Sequence, residues 1–212
     1  MSRCLVLSLL ILVGRVSAQS CDTWRTQAGD STIDLAPLSG FVEVCSQDAQ
    51  LCSVLTAGYP PSVKTLGYFA PTAEWNAVRQ RASLGFKHYL IAQLATSMTP
   101  ERLPGFKNFL RSQQGNIPDH SDLPRFLAAE GRAPMGIFDE TPNSISFGQI
   151  MTVRATTGAS AERITLVSTN SAVVVKNRVL SLYVFQDYRG DADADSAKAV
   201  TLSWLRCLGA AN

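Results

Sequence analysis

Apolar and polar residues alternate with a period of two along the last third of the chain. Residues 144–154 place their large apolar side chains on one face, and residues 164–175 and 178–188 are two further strand regions. Lys176-Asn177 lies between the last two regions and is a tight turn of the kind that joins antiparallel strands. The pattern therefore predicts a β-hairpin. Since its second strand is apolar on both faces, that strand should lie inside a sheet rather than at its edge.

The middle of the chain mixes short strand patterns with helical periods. Residues 86–95 are apolar enough for a strand or a helix, and Gly85 followed by aromatic residues favours a strand. Further strands are expected at 41–44, 63–69 and 135–139. Helices are expected at 48–56, at 73–82 after Thr72 as cap, from Thr99-Pro100-Glu101, and from Ser121 to Gly131. A last helix is expected at 193–208, with Val200, Trp204 and Leu208 buried. This order predicts an α+β fold, in which helices pack on an antiparallel sheet and a C-terminal hairpin precedes a terminal helix.

The first 18 residues have the features of a secretory signal peptide. Arg3 precedes a short apolar run, and small residues follow up to Ala18, after which we expect cleavage. A buried N-terminal helix is one alternative. A lipoprotein anchored through Cys21 is another, although Gln19 suits a lipobox poorly. We therefore expect a periplasmic or secreted protein with no transmembrane segment in the mature chain.

The domain organisation follows from the same boundary. Residues 19–40 are polar and interrupted by Gly and Pro, and we interpret them as an extended lead-in. The rest, residues 41–212, has the length of a single α+β domain.

Charge argues against nucleic acid and anionic membranes as partners. Loss of Arg3 and Arg15 with the signal peptide reduces the 19 basic residues to 17, equal to the 17 acidic residues. No basic run or stripe is present in the sequence. Binding to nucleic acid or to an anionic membrane usually requires such a basic footprint.

Four cysteines follow the signal peptide, and an even number in an oxidising compartment indicates disulfides. Cys45 and Cys52 are too far apart in sequence for the C-x(2–4)-C pairs of structural zinc sites, and they do not form the C-x-x-C of thioredoxin-like redox pairs. Four cysteines allow three pairings. We expect Cys45–Cys52 because a strand end and the next helix come close together, and this leaves Cys21–Cys207.

Several segments, among them CSQDAQLC, FKHYLIAQLA, SISFGQI and WLRCL, resemble an uncharacterised family of secreted proteobacterial proteins. No activity is known for that family, so the resemblance implies no catalytic residues. The closing hairpin and helix are also loosely similar to the PsbP/Mog1 sandwich fold. That similarity implies a binding or assembly role by analogy of fold alone.

Familiar catalytic motifs are absent. The sequence has no G-x-S-x-G, H-E-x-x-H, G-x-G-x-x-G or G-x-x-x-x-G-K-[ST] motif. Its two histidines are His88, next to Tyr89 in a strand pattern, and His120, between Asp119 and Ser121 in a polar turn. Either histidine is a candidate general base, yet residues adjacent in sequence rarely form a catalytic triad.

Two groups of acidic residues are also candidates for a metal site or a catalytic site. Asp191, Asp193 and Asp195 resemble the start of a calcium loop, but Gly and Glu are missing from its sixth and twelfth positions. Aspartates at a helix N-terminus are the simpler interpretation. Glu74, beside Trp75, and Asp139-Glu140 are candidate carboxylates for a glycosidase pair. The sequence favours solvated surface acids, because it cannot establish the separation that such a pair requires.

These observations favour a non-catalytic binding or envelope-assembly module, with an unknown envelope protein or small ligand as partner and with no cofactor or metal. The alternative is an envelope hydrolase that uses His88 or His120 as general base. A structural role is a third hypothesis, and a large exposed apolar patch would indicate it.

Overall fold

The computed structural model describes residues 20–81, 85–114, 127–155 and 163–212. The predicted signal peptide therefore lies outside the described residues. The strands are β1 (Arg25–Ala28), β2 (Ser31–Asp34), β3 (Phe41–Glu43), β4 (Val63–Pro71), β5 (His88–Ala95), β6 (Leu127–Thr141), β7 (Ser144–Ala155), β8 (Arg163–Val175) and β9 (Arg178–Asp187). The α-helices are α1 (Val44–Gln47), α2 (Ala49–Thr56), α3 (Thr72–Arg79), α4 (Leu103–Ser112) and α5 (Asp191–Ala211).

Seven of the described strands form one antiparallel sheet in the order β3-β4-β5-β9-β8-β7-β6. The helices pack on this sheet, so the α+β prediction is confirmed. Strand β9 lies in the middle of the order, as its two apolar faces predict. Lys176 and Asn177 join β8 to β9 with φ of 46° and 62°, the backbone of a two-residue hairpin turn that matches the twist of the strands.

The two faces of β9 contribute to different parts of the core. Leu180, Leu182 and Val184 pack in one apolar cluster with residues of α5 and of β2. Phe185 and Val179 point to the opposite face, where one cluster includes residues of α1, α2 and α3 and another includes residues of α4. Helices therefore cover both faces of the sheet, and this explains why a central strand is apolar on both sides.

The segment before β3 differs from the extended lead-in that we predicted for residues 19–40. Strands β1 and β2 form a hairpin around Gly29, which has a φ of +66°. Ile33, Leu35 and Leu38 are fully buried in the same cluster as α5. The segment is polar on average, but its few apolar side chains all point towards the core, so a boundary at residue 40 does not separate it from the domain.

The last helix and the residue that follows it bind this N-terminal segment through hydrogen bonds and a disulfide. Trp204 is fully buried, and its indole Nε1 donates a hydrogen bond to the carbonyl oxygen of Leu35 at 2.8 Å. The sulfurs of Cys21 and Cys207 lie 1.94 Å apart as a disulfide. Asn212 Nδ2 also donates to the carbonyl oxygen of Asp34 at 2.7 Å. These bonds connect opposite ends of the described chain.

The helix predicted from Ser121 to Gly131 is wrong in the part that the structure describes. Leu127 and Gly131 belong to β6, a long edge strand that also contains the predicted strand 135–139. Residues 115–126 lie outside the described residues. Strand β6 shifts register against β7 at three places and contains Pro134. Bulges and proline are common at sheet edges because they discourage pairing with another chain, and they also hide the period-two pattern in the sequence.

Two helix starts differ slightly from the predictions. Thr72 is the first residue of α3 rather than its cap, and its hydroxyl donates to the carbonyl oxygen of Gly40 at 3.0 Å. Thr99 precedes a 3-10 turn, Pro100–Arg102, and α4 begins only at Leu103. In both cases proline at or next to the boundary fixes where the helix begins.

Candidate functional site

A cleft of about 370 Å³ lies beside β4, at the point where β3 ends. We call it the disulfide cleft. One wall is the first half of β4, with Val63 and Thr65 facing the space. The opposite wall is formed by Cys45 and Cys52 with Thr56 of α2, and the loop between α2 and β4 contributes Tyr59, Pro60 and Pro61.

The cleft exists because β3 stops after three residues. Glu43 is the last residue of β3 that pairs with β4, opposite Phe69. Glu43 is 7% exposed, and its carboxylate accepts two backbone hydrogen bonds, from the N–H of Tyr68 at 3.1 Å and from the N–H of Ser46 at 2.6 Å. The first bond occupies the N–H that a next β3 residue would have paired with. The second caps the N-terminus of α1, so the chain leaves the sheet as a helix.

Strand β4 therefore has an open edge beside the cleft. Its pairing with β3 covers only Phe69–Pro71, whereas its pairing with β5 begins at Val63. Within the described parts of the chain, residues 63–65 and Gly67 pair with β5 alone, and Leu66 lies at a bulge in that pairing. At about 3.3 Å per residue this edge is about 16 Å long. The disulfide cleft occupies the place that a longer β3 would fill.

A disulfide holds the wall that faces this edge. Cys45 lies in α1 and Cys52 in α2, with their Cα atoms 4.7 Å apart and their sulfurs 2.07 Å apart. Asp48, between the two helices, accepts a hydrogen bond from the N–H of Leu51 at 2.8 Å and caps α2. The disulfide and the Asp48 cap stabilise two short helices, which in isolation would be only marginally stable. The structure thus forms both of the cysteine pairs that the sequence predicts.

The described lining of the disulfide cleft is almost uncharged. Its one carboxylate, that of Glu43, is buried and committed to backbone N–H groups. The other polar side chains that line it are the hydroxyls of Thr56, Tyr59 and Thr65, and no histidine is among the lining residues. Apolar surface with a few hydroxyl groups is the usual composition of a binding site. It supplies no acid–base pair for catalysis.

A second cleft of about 530 Å³ lies between α4 and the turn that joins β6 to β7. Lys107 is 6% exposed there, and its ammonium group donates to the carbonyl oxygens of Thr141 and, at 3.1 Å, of Pro142. Arg111 and Lys107 both pair with Glu140. These charges bind one another and the turn, so we interpret this cleft as a structural junction between α4 and the hairpin.

His88, a candidate general base, is the first residue of β5. Its ring stands edge-on to the ring of Phe41 with centroids 5.3 Å apart, and its buried Nε2 has no hydrogen-bond partner. Burial lowers the pKa of the imidazole, against a smaller opposing effect of the Glu74 carboxylate. No serine, aspartate or glutamate side chain among the described residues hydrogen bonds to the ring. A ring without such a partner does not form a catalytic dyad.

The remaining candidates are not brought together either. His120, with Asp119 and Ser121, lies outside the described residues. Glu74 accepts the backbone N–H groups of Lys87 at 2.7 Å and His88 at 3.2 Å. Glu140 instead pairs with side chains of α4, so these two carboxylates have separate partners and separate roles in packing.

The three aspartates at the start of α5 also have individual partners. Asp193 accepts hydrogen bonds from the backbone and guanidinium of Arg189, which lower the pKa of its carboxyl. Asp191 accepts a bond from the hydroxyl of Tyr188 at 3.3 Å, and Asp195 pairs with Lys198 at 3.4 Å. Within the described ranges, no three His, Cys, Asp or Glu side chains lie close enough to hold a metal ion.

Two surface properties bear on the other hypotheses. Val54 and Phe109 are the large apolar side chains that are exposed among residues whose burial the structure describes, and they lie on different helices. They do not form the extended apolar patch that an assembly role would suggest. No helix in the described part of the chain combines the length and apolarity needed to span a membrane.

Comparisons with known proteins assign this chain to no family. No protein-family model matches the chain, and no curated protein matches it. Among solved structures, the chain is similar to the Ran-binding protein Mog1p of Saccharomyces cerevisiae, with 9% sequence identity and a TM-score of 0.38 over 91% of this chain and 95% of that chain. At this TM-score the likeness carries no argument about the present chain.

Sequence reasoning found the cysteines of the disulfide cleft but missed its other wall. Glu43 has no motif around it, and its partner Tyr68 is 25 residues away. A faint signal was present, since the predicted strand at 41–44 is shorter than the predicted strand at 63–69. Strands of unequal length leave part of the longer one unpaired at a sheet edge.

Proposed function

We propose that this protein is a non-catalytic binding module of the cell envelope, and that its ligand or partner binds in the disulfide cleft. The observation that carries the proposal is the open edge of β4 at residues 63–67, which faces a disulfide-held wall across a cleft of about 370 Å³. This volume is at the lower end of the range of about 300–1,000 Å³ that is usual for ligand sites.

Several sequence features support the envelope as the compartment. The pattern of residues 1–18 is that of a cleavable signal peptide, which would release a periplasmic or secreted chain after Ala18. Two disulfides are typical of an oxidising compartment and rare in the cytosol. The resemblance to secreted proteobacterial proteins agrees with this assignment.

A hydrolase is the alternative, and the surroundings of His88 give it no support. His88 is half-buried beside Phe41, and its ring has no carboxylate or hydroxyl partner among the described residues. In this alternative His120 is then the remaining candidate for the general base. If His120→Ala abolished an esterase or peptidase activity of the purified chain, the alternative would replace our proposal.

A substitution that fills the cleft tests the proposal directly. Thr56 lines the cleft from α2, and Thr56→Trp would place an indole ring in it. Ser53→Trp is the matched control, because Ser53 is exposed on the same helix and does not line the cleft. Both native hydroxyls donate to a carbonyl oxygen of the preceding turn, so the two substitutions remove comparable bonds.

The oxidised chain and both variants would be screened against a fragment library and a display library of random eight-residue peptides. NMR shifts of the amides at 63–67 would locate the binding site. We expect at least one binder whose affinity falls about tenfold or more in Thr56→Trp and stays within about twofold in Ser53→Trp. The absence of any binder sensitive to Thr56→Trp, with both variants folded by circular dichroism, would contradict the proposal.

A further inference from the structure

We propose that the ligand of the disulfide cleft is an extended peptide segment of a partner protein, which adds to the sheet as a strand beside β4. This inference rests on the proposed function and specifies its ligand. Addition of a strand to a sheet edge is a recurrent mode of peptide recognition, in which backbone hydrogen bonds provide affinity and side-chain pockets provide specificity. Three properties of the cleft support it.

The first property is the unpaired backbone of β4. Each residue except proline has one N–H and one C=O, and in a strand these groups point alternately to the two sides. Val63, Lys64, Thr65 and Gly67 pair with β5 on one side, and the register shifts at Leu66 between them, so a peptide would have to follow this bulge. Among the described residues no strand pairs with them on the other side. Val63 N–H is already bonded to the carbonyl of Pro60 at 2.9 Å, so the strand would pair between Lys64 and Gly67.

The second property is the position where the existing ladder ends. Glu43 closes that ladder by accepting the N–H of Tyr68, and α1 then turns away from the sheet. A peptide can therefore continue the line of β3, about 4.8 Å from β4, without displacing a strand of this chain. Since β3 is antiparallel to β4, a peptide in the same line and direction would also be antiparallel to it.

The third property is the opposite wall, which selects the side chains of the peptide. Cys45, Cys52 and Thr56 face Val63 and Thr65 across the cleft, and none of these side chains is charged. A charged side chain enclosed there without a partner would be strongly disfavoured, because burial removes its hydration. The peptide should therefore direct small uncharged side chains such as Val, Ala, Thr or Ser into the cleft at alternate positions, with no restriction on those that point to solvent.

A polyproline helix is the competing form of extended peptide. Grooves that recognise it are lined by several aromatic rings, between which the proline rings pack. Tyr59 is the one aromatic residue among those described as lining this cleft. In addition, a proline-rich ligand has few N–H groups, so it would form few hydrogen bonds with the free edge of β4. The lining therefore favours a strand over a polyproline helix.

The test uses the peptides that the oxidised chain selects from the random eight-residue display library. The tightest peptide would be synthesised with single N-methyl groups at each backbone position in turn. If it pairs as a strand, N-methylation should weaken binding about tenfold or more at every second position and by less than about twofold at the others. Bound peptide should also slow hydrogen exchange of amides between Lys64 and Gly67, while exchange at the exposed residue Ser53 should not change.

The outcomes separate this inference from the proposed function. Selected peptides that are sensitive to Thr56→Trp but insensitive to N-methylation, or rich in proline, would overturn strand addition and leave the cleft as the binding site. The same conclusion would follow if fragments bound the cleft and no peptide did. If no fragment and no peptide responded to Thr56→Trp, the proposed function would fail together with this inference.

Discussion

The side-chain carboxylate of Glu43 accepts a hydrogen bond from the backbone N–H of Tyr68, 3.1 Å away. The Glu43 side chain thereby replaces the next residue of β3, because the Tyr68 N–H that would continue the β3–β4 ladder is already bonded. Its second oxygen accepts the N–H of Ser46 and starts α1. One buried residue thus ends the pairing of β3, turns the chain towards Cys45 and leaves the edge of β4 open.

Loss of the Glu43 carboxylate should destabilise the protein. Glu43→Ala would leave the buried N–H of Tyr68 without its acceptor, at a cost of about 1–3 kcal/mol. It would also remove the cap that accepts the Ser46 N–H at the start of α1, at a cost of about 0.5–2 kcal/mol. We expect a fall of about 2–4 kcal/mol in the free energy of unfolding, measured by urea denaturation. Glu43→Gln keeps one acceptor oxygen and should lose about half as much. Equal losses in the two variants would argue against the role we assign to the carboxylate.

Peptide mapping of the mature chain without reductant should recover the two disulfides and no free thiol. The structure joins Cys21 to Cys207 and Cys45 to Cys52. A peptide linking Cys21 to Cys45 or Cys52 would refute this pairing. A lipid attached to Cys21 would instead identify a lipoprotein and leave Cys207 without its partner.

The two disulfides should differ in their contribution to stability. The loop closed by Cys21 and Cys207 has a sequence separation of 186, against 7 for Cys45 and Cys52. Chain-entropy arithmetic gives about 5 kcal/mol for the long loop and about 2.5 kcal/mol for the short one. Thermal unfolding of Cys21→Ser/Cys207→Ser and Cys45→Ser/Cys52→Ser should therefore show the larger loss in the first variant. The reverse order would mean that local packing outweighs loop closure.

Trp204→Phe should weaken the junction between α5 and the N-terminal segment. The substitution removes the indole N–H that binds the Leu35 carbonyl, and it leaves a cavity at a fully buried position. We expect a loss of about 2–4 kcal/mol in urea unfolding. Trp24→Phe is the control, since Trp24 is only partly buried at the edge of the same cluster and should lose less. Similar losses at the two positions would contradict the role of the hydrogen bond.

Stability should decrease as the pH falls below about 6.5, because of His88. Burial lowers the pKa of its imidazole in the folded chain below the usual value of 6.5, whereas the unfolded chain retains that value. Between the two pKa values the unfolded chain binds more protons, so acid favours unfolding. The contribution of His88 is therefore complete above pH 6.5 and is lost as the pH falls through the folded-state pKa.

Urea denaturation between pH 8 and pH 5 would measure this effect. His88→Leu should flatten the profile below pH 6.5, while His120→Gln, which alters the second of the chain's two histidines, should retain it. Burial raises the pKa of Asp187, so this group adds stability as the pH falls, and both variants keep it. An unchanged profile in His88→Leu would show that another group controls the pH dependence.

Local signals in the sequence determined the hairpin of β8 and β9 and the central position of β9. The turn Lys176-Asn177 lies between two strand patterns, and hairpin pairing needs no information from distant residues. The two disulfide pairs could also be predicted, because Cys45 and Cys52 are close in sequence and the other two cysteines are then left to pair.

Only the tertiary structure decided how the remaining segments pack. Residues 19–40 are polar on average, yet Leu35 and Leu38 are buried because α5, far along the chain, covers them. Strand β6 carries bulges that remove its alternating pattern, so the sequence wrongly predicts a helix over part of it. The disulfide cleft depends on a bond between Glu43 and a backbone group 25 residues away. Propensity and periodicity describe neighbours in sequence, whereas these features depend on groups that become neighbours only when the sheet has formed.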